Sequence, residues 1–445
     1  MTQYVQTIYF GPPGCGKSFK LREVSRDQLM IEPGSARLIE TTFHPEYSYG
    51  DFVARLLPQS RRHQQEYVVA NEGGTLHGVK LREMHEGVKI EYNVHAGPFI
   101  KALAMAYTEA QQVLLAIDEI NRGNCALIFG DMFQLLDRDE SGWSQYGIDL
   151  SDIHQFALEE ELKRLGKSIA DIPDHLCIPS RSGGKPRIKL KLPPTLSIVG
   201  TMNTSDESVY YMDTAFKRRW DFEYMPWTGT GSGEAVQAQS SVLIEGTDHS
   251  WRAFLERLNA YIAERFMGRN VDDKQLGLWF LRRGRGEKAR RLADLHARLE
   301  PLKGSTQCAD WKKVFPSAQE YNNSTYLAIP SIIADFESYG VRWPSAAPSG
   351  YPEKLAEPLI KYLGEEIAKI DLVIPRAAMR NKLLFFLWDN VFSRDRTPLL
   401  NLIGPFEAHR PPPCTFGDFA TDEHLERLIA TLMAAPAAAA DLAAA

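Results

Sequence analysis

Short apolar runs and longer amphipathic stretches alternate through the first half of this chain. Residues 5–10 form an apolar run that stops at Gly11, and a helical pattern follows over 17–26. A second strand pattern, 37–41, leads into the aromatic segment FHPEYSYGDFV at 43–53. Residues 59–95 are polar, and their alternation near 88–94 predicts β-hairpins. A helix is predicted over 98–111. The next run, 113–117, is apolar at every position, which is the signature of a strand covered on both faces of a parallel sheet. A helix over 125–136, an insertion over 139–190 with a helical stretch at 156–165, and another buried strand at 196–200 complete the pattern. Strands alternating with helices predict an α/β fold with a mostly parallel sheet.

The second half changes period. The segment TGTGSGEAVQAQSS, 228–241, is rich in Gly and Ser and is expected to be a linker. Helical patterns then occupy 251–266, 288–299, 355–370 and 377–392. The expected organisation is a large α/β domain over 1–230 with insertions near 59–95 and 139–190. An α-helical domain over 245–405, with an insertion near 301–350, follows, and then a C-terminal tail over 406–445, Ala-rich from 434 onward.

Composition narrows the chemistry. The 445 residues carry a formal net charge of −6, so no global basic field holds nucleic acid, and any such contact falls to local strips or to a partner. The cysteines number five, an odd and scattered set without zinc-ligand spacing, as expected of a reducing cytoplasm. No run of about 18 apolar residues and no leader-like start is seen, so no membrane contact is expected.

Four motifs carry the candidate chemistry. GPPGCGKS comprises Gly11, Pro12, Pro13, Gly14, Cys15, Gly16, Lys17 and Ser18 and matches the phosphate-loop pattern G-x-x-x-x-G-K-[ST]. Its glycines let backbone N–H groups turn toward phosphates, Lys17 supplies a point charge, and the Ser18 hydroxyl is suited to Mg²⁺. VLLAIDEIN, 113–121, ends an apolar strand in two carboxylates. Asp118 is suited to Mg²⁺ and Glu119 to polarising an attacking water, although an acidic pair at a strand end also reads as a helix cap. In GTMNTSDES, 200–208, a buried strand delivers Asn203 at its C-terminal end, where α/β sheets place ligands. An amide there can bond a γ-phosphate and position water; an Asx-turn is the structural alternative. In MDTAFKRRW, 212–220, the paired Arg218 and Arg219 fit arginine fingers, because a delocalised, always-charged fork suits the spreading charge of phosphoryl transfer. A solvated basic face is the plain alternative.

With these motifs in order, the chain resembles AAA+ proteins and, within them, the McrB family of restriction motor subunits. The resemblance is carried further by YSYGDFV (47–53), DEINRGNCALIFGDMFQLLD (118–137) and DDKQLGLWF (272–280), the last similar to that family's lid signature. It implies a three-layer αβα P-loop domain followed by a small helical lid, Mg²⁺-dependent hydrolysis of GTP or ATP, a homo-oligomeric ring, expected to be a hexamer, in which Arg218 or Arg219 completes a neighbour's site, and an McrC-like nuclease partner. The family's MNTADRS is altered here: Ser205 and Glu207 replace its Ala and Arg. Asn203 and Asp206 also have the N-x-x-D spacing by which small G-proteins read guanine, but Asn203 at a phosphate-sensing position argues the other way, so the nucleotide stays open. The phosphate loop starts at residue 11, which leads to the expectation that recognition of DNA lies in a partner or in the insertions. The alternative from another class is a MoxR-like remodeller of protein substrates.

Overall fold

The computed structural model describes residues 4–64, 86–179, 186–203, 210–229, 233–266, 271–319, 327–344, 351–406 and 412–434. The chain divides into two compact units. The first takes residues 1–11 and 16–225; the second takes Pro12–Cys15 and Pro226–Ala445.

The first unit is built on five strands. β1 (Gln6–Phe10), β2 (Leu38–Thr42), β5 (Val113–Asp118), β9 (Leu196–Met202) and β10 (Asp221–Tyr224) form one sheet in the order β10-β1-β9-β5-β2. Every pairing in it is parallel. Parallel neighbours need crossovers, which the intervening helices supply. β5 and β9 are central, and their Val113, Leu114, Leu115, Ile117, Leu196, Ile198 and Val199 are fully buried. The uninterrupted apolar run in the sequence is therefore the consequence of cover on both faces.

The helix Pro98–Thr108 starts with Pro at its first turn and buries Phe99, Ile100, Leu103 and Ala106 in the same core. Phe43, Phe52, Phe99 and Phe129 form a chain of ring contacts there, so the aromatic segment after β2 serves packing. β3 (Ala54–Gln64) and β4 (Glu86–Ala96) pair antiparallel as a long ribbon, wider than the hairpins expected near 88–94. β6 (Ile148–Asp149), β7 (Cys177–Ile178) and β8 (Arg187–Leu190) make a small antiparallel sheet. β8 buries Ile188 and Leu190 and exposes Arg187 and Lys189.

The helix expected over 125–136 is broken. An α-helix, Cys125–Phe129, gives way to a 3-10 stretch, Gly130–Leu136. Gly130 has φ 54°, and a Cβ there would lie 2.7 Å from the Tyr49 ring, so the kink is made by a left-handed glycine under a ring.

The second unit is helical and has two hydrophobic clusters. One gathers Trp251, Phe254, Leu258, Leu276, Leu278 and Leu387. To it the helix Asp422–Ala434, within the expected tail, adds Leu425, Leu428 and Leu432. The other faces helix Glu287–Leu299 (Leu292, Leu295, Leu299) with helix Pro352–Lys369 (Leu355, Leu359, Leu363) around Trp311 and Phe336. Those spacings are the apolar stripes of amphipathic helices. The expected linker is a correction: residues Glu234–Ser240 form a helix, and Gln239 is fully buried. Its Nε2 donates to the Leu281 carbonyl at 2.7 Å, a tie that a Gly/Ser-rich composition does not reveal. Among the described residues, no helix is long and apolar enough to cross a membrane.

Candidate active site

The C-terminal ends of β1, β5 and β9 lie side by side in the sheet, and each carries one of the expected motifs. After β1 the chain turns through Gly11 (φ 153°), Gly14 (φ 80°) and Gly16 (φ 102°). Side chains rarely adopt such angles, so the loop's shape requires glycine at these points. The Lys17 side chain is buried, and its Nζ donates to the Gly11 carbonyl at 2.8 Å. That bond folds the ammonium back to the first residue of the motif. Ser18 is exposed in the first turn of the helix Lys17–Glu23. Within the second unit, the loop tip closes on itself through Cys15 N–H to the Pro12 carbonyl, 3.2 Å.

β5 ends at Asp118. Thr201, on the neighbouring β9, donates its hydroxyl to Asp118 Oδ1 and accepts the Glu119 N–H at 3.1 Å. Glu119 itself is left-handed, φ 55° and ψ 45°. For a residue with a side chain this costs about 1–2 kcal/mol, and such strain persists where surrounding bonds over-determine it. Those bonds are visible: the Thr201 contact on its amide, and Asn203 Nδ2 donating to Glu119 Oε1 at 2.5 Å. Asn203 is held in turn, because Asn121 Nδ2 donates to its carbonyl at 2.6 Å. Cys125 adds support by donating its thiol to the Ile120 carbonyl at 2.8 Å. Burial pushes that thiol's pKa up to about 12, which keeps it a neutral donor rather than a nucleophile.

The two arginines separate. Arg219 is pinned to Asp137, with Nη2 at 2.6 Å and Nε at 3.0 Å from Oδ2. Its Nη1 also donates to the Ala215 carbonyl at 2.6 Å, and its guanidinium lies 4.5 Å from the centre of the Phe133 ring. Only 6% of its side chain is exposed. Arg218 is exposed. Among the described residues its guanidinium has no hydrogen bond or ion pair. Asp206, the candidate base-reading residue, lies outside the described residues.

The structure thus brings Asp118, Glu119 and Asn203 together, and adds residues not singled out from the sequence: Thr201, Asn121 and Asp137. Thr201 and Asp137 stand inside the family-like segments, so a signal was present, but their partners are on other strands and helices.

No family model matches the chain. It is similar to the YdiS component of the type II restriction enzyme BsuMI of Bacillus subtilis, at 32% identity over 289 residues, 62% of this chain and 72% of that one. It is also similar to the McrB subunit of the type IV methyl-directed restriction enzyme EcoK of Escherichia coli, at 25% identity over 218 residues. That match takes in 48% of this chain and 34% of the subunit. A solved structure of a putative ATPase from Cytophaga hutchinsonii aligns with 82% of this chain and 85% of its own at 11% identity, with a TM-score of 0.24.

Proposed function

This chain belongs to the McrB-like AAA+ ATPases of restriction systems, and from that premise we propose that it hydrolyses GTP or ATP with Mg²⁺ in a homo-oligomeric ring, a hexamer, in the cytoplasm. The ring drives an McrC-like nuclease subunit in modification-dependent DNA restriction or antiviral defence. Contact with DNA is made by the partner or by loops facing a ring channel, in keeping with a net charge of −6.

The observation that carries the reading is the tie between β5 and β9, in which Asn203 grips Glu119 while Thr201 grips Asp118. Asn203 and Glu119 in contact make a unit able to respond to a γ-phosphate and to aim a water at it. Lys17 and the loop amides would bind the β- and γ-phosphates. The Ser18 hydroxyl and the Asp118 carboxylate are hard oxygen donors, the ligands Mg²⁺ takes. Bound there, Mg²⁺ would neutralise charge on the phosphates.

Arg218 is the finger of this proposal. A finger must be exposed to reach a neighbouring subunit, and Arg219 is committed to Asp137. Both named relatives are restriction components, which favours this reading over a MoxR-like remodeller.

The test is hydrolysis of GTP and of ATP by the purified chain, with and without DNA and an McrC-like partner, alongside Glu119→Gln. Turnover should vanish in the variant while nucleotide stays bound. Unchanged turnover would remove Glu119 from the mechanism. A monomeric mass with Mg²⁺ and a slowly hydrolysed nucleotide would sink the ring.

A further inference from the structure

The second unit contains both the phosphate-loop tip, Pro12–Cys15, and the segment Leu276–Phe280. The two backbones touch. Gly277 N–H donates to the Pro13 carbonyl at 2.9 Å, and Trp279 N–H donates to the Gly14 carbonyl at 2.7 Å. A Cβ built on Gly277 would lie 2.2 Å from the Cys15 nitrogen, and one on Gly14 would lie 2.4 Å from the Phe280 nitrogen. Both distances are far inside van der Waals contact, so neither glycine can be replaced without moving main chain.

The segment is held rigidly from behind. Asn259 pairs with both sides of one residue: its Oδ1 accepts the Leu276 N–H at 2.9 Å and its Nδ2 donates to the Leu276 carbonyl at 2.9 Å. Trp251 Nε1 donates to the Leu278 carbonyl at 2.9 Å, and Gln239 Nε2 reaches the same oxygen at 3.3 Å. Leu278 N–H donates to the Trp227 carbonyl at 2.8 Å, and Phe280 N–H to the Gly277 carbonyl at 3.0 Å. Asn259, Trp251 and Gln239 are all buried. Each amide from Leu276 to Phe280 therefore has a partner, and the two that point at the phosphate loop have no slack.

We propose that Leu276–Phe280 is a backbone clamp that sets the conformation of the phosphate-loop tip for nucleotide binding, and that Asn259 is the positioning residue that holds the clamp. A trans peptide carries its N–H opposite its C=O. Anchoring the Pro13 carbonyl on Gly277 therefore turns the Gly14 N–H away from the clamp, leaving it available to an anion. A loop already ordered before binding loses less entropy on binding, so the clamp acts on affinity. The proposal rests on the phosphate-loop reading of Gly11–Ser18.

The test uses the full chain and fluorescent GTP and ATP analogues, with Lys17→Ala as control. Gly277→Ala is expected to raise the dissociation constant and KM at least about tenfold, the effect of ~1.4 kcal/mol, while kcat at saturation changes less. Asn259→Ala is expected to shift KM in the same direction with kcat retained. If Lys17→Ala binds nucleotide like the unchanged chain, the phosphate-loop reading itself fails. If Lys17→Ala loses binding while a folded Gly277→Ala keeps it, only the clamp fails. Should Gly277→Ala not fold, hydrogen exchange in the unchanged chain decides: slow exchange of the Gly277 and Trp279 amides supports the clamp, and exchange at the rate of open loops overturns it.

Discussion

Asn203 Nδ2 meets Glu119 Oε1 at 2.5 Å, across 84 residues of sequence. The contact joins the residue that follows β9 to the residue that follows the neighbouring β5. It places an amide, which a γ-phosphate can engage, on the carboxylate proposed to polarise water. Asn203→Ala should lower kcat by about 100-fold or more, the range of a lost acid–base or positioning group, against a loss of stability of only about 1–3 kcal/mol. Steady-state hydrolysis and a thermal melt on the same preparation check this. An equal loss of stability and activity would make Asn203 a structural residue.

Thr201 holds both Asp118 and the Glu119 amide. Thr201→Val keeps the shape and removes the hydroxyl, leaving a carboxylate oxygen and an N–H to find other partners. The expected cost is about 1–3 kcal/mol of stability, together with a higher Mg²⁺ concentration for half-maximal hydrolysis. Denaturant unfolding and a Mg²⁺ titration measure the two. Chelating Mg²⁺ should abolish hydrolysis in both proteins.

Arg218 and Arg219 should behave oppositely. Arg218→Ala is expected to lose about 10³-fold in hydrolysis, the low end for an arginine finger, and to melt normally. Arg219→Ala is expected to be destabilised, because it strips Asp137 of its partner. Mixing Arg218→Ala with Glu119→Gln tests action between subunits. Each site of the first would gain a finger from the second, so the mixture should exceed the sum of its parts. No recovery in demonstrably mixed rings would place the finger elsewhere.

Cys125 predicts a pH dependence of stability. Burial raises its thiol from an ordinary 9.0 to about 12. Between those values the unfolded chain has lost that proton and the folded chain has kept it. The unfolded state then binds fewer protons, so stability falls as pH rises. Relative to Cys125→Ala, the unchanged chain should lose stability from about pH 9 upward, by about 1 kcal/mol per pH unit. Urea unfolding at pH 8, 9 and 10 reads the difference. Parallel slopes would show that the buried thiol does not titrate between the two states.

Much of the first unit was legible because its causes are local. The buried run 113–117 is apolar at every position, so it had to be covered on both faces. The Gly11, Gly14 and Gly16 spacing demanded an unusual backbone, and the positive φ angles are where it was expected. The helix over 125–136 misled because periodicity continued through Gly130, and only the Tyr49 ring above it explains the break. The expected linker misled for the converse reason: its Gly/Ser content masked a helix anchored by one glutamine.

The amino-acid sequence by itself determined which residue types stand at the ends of β1, β5 and β9, since strand, loop and helix patterns are set within a few residues. Only the tertiary structure decided their partners. Thr201 finds Asp118 across 83 residues, Arg219 finds Asp137 across 82, and Gly277 meets the loop tip at Pro13. Such pairings depend on chain closure over long loops, and no local pattern encodes which distant carbonyl or carboxylate will be at hand. That is also why Arg218 and Arg219, equivalent in the sequence, differ in the fold: one is held by an acid and a ring, and the other faces outward.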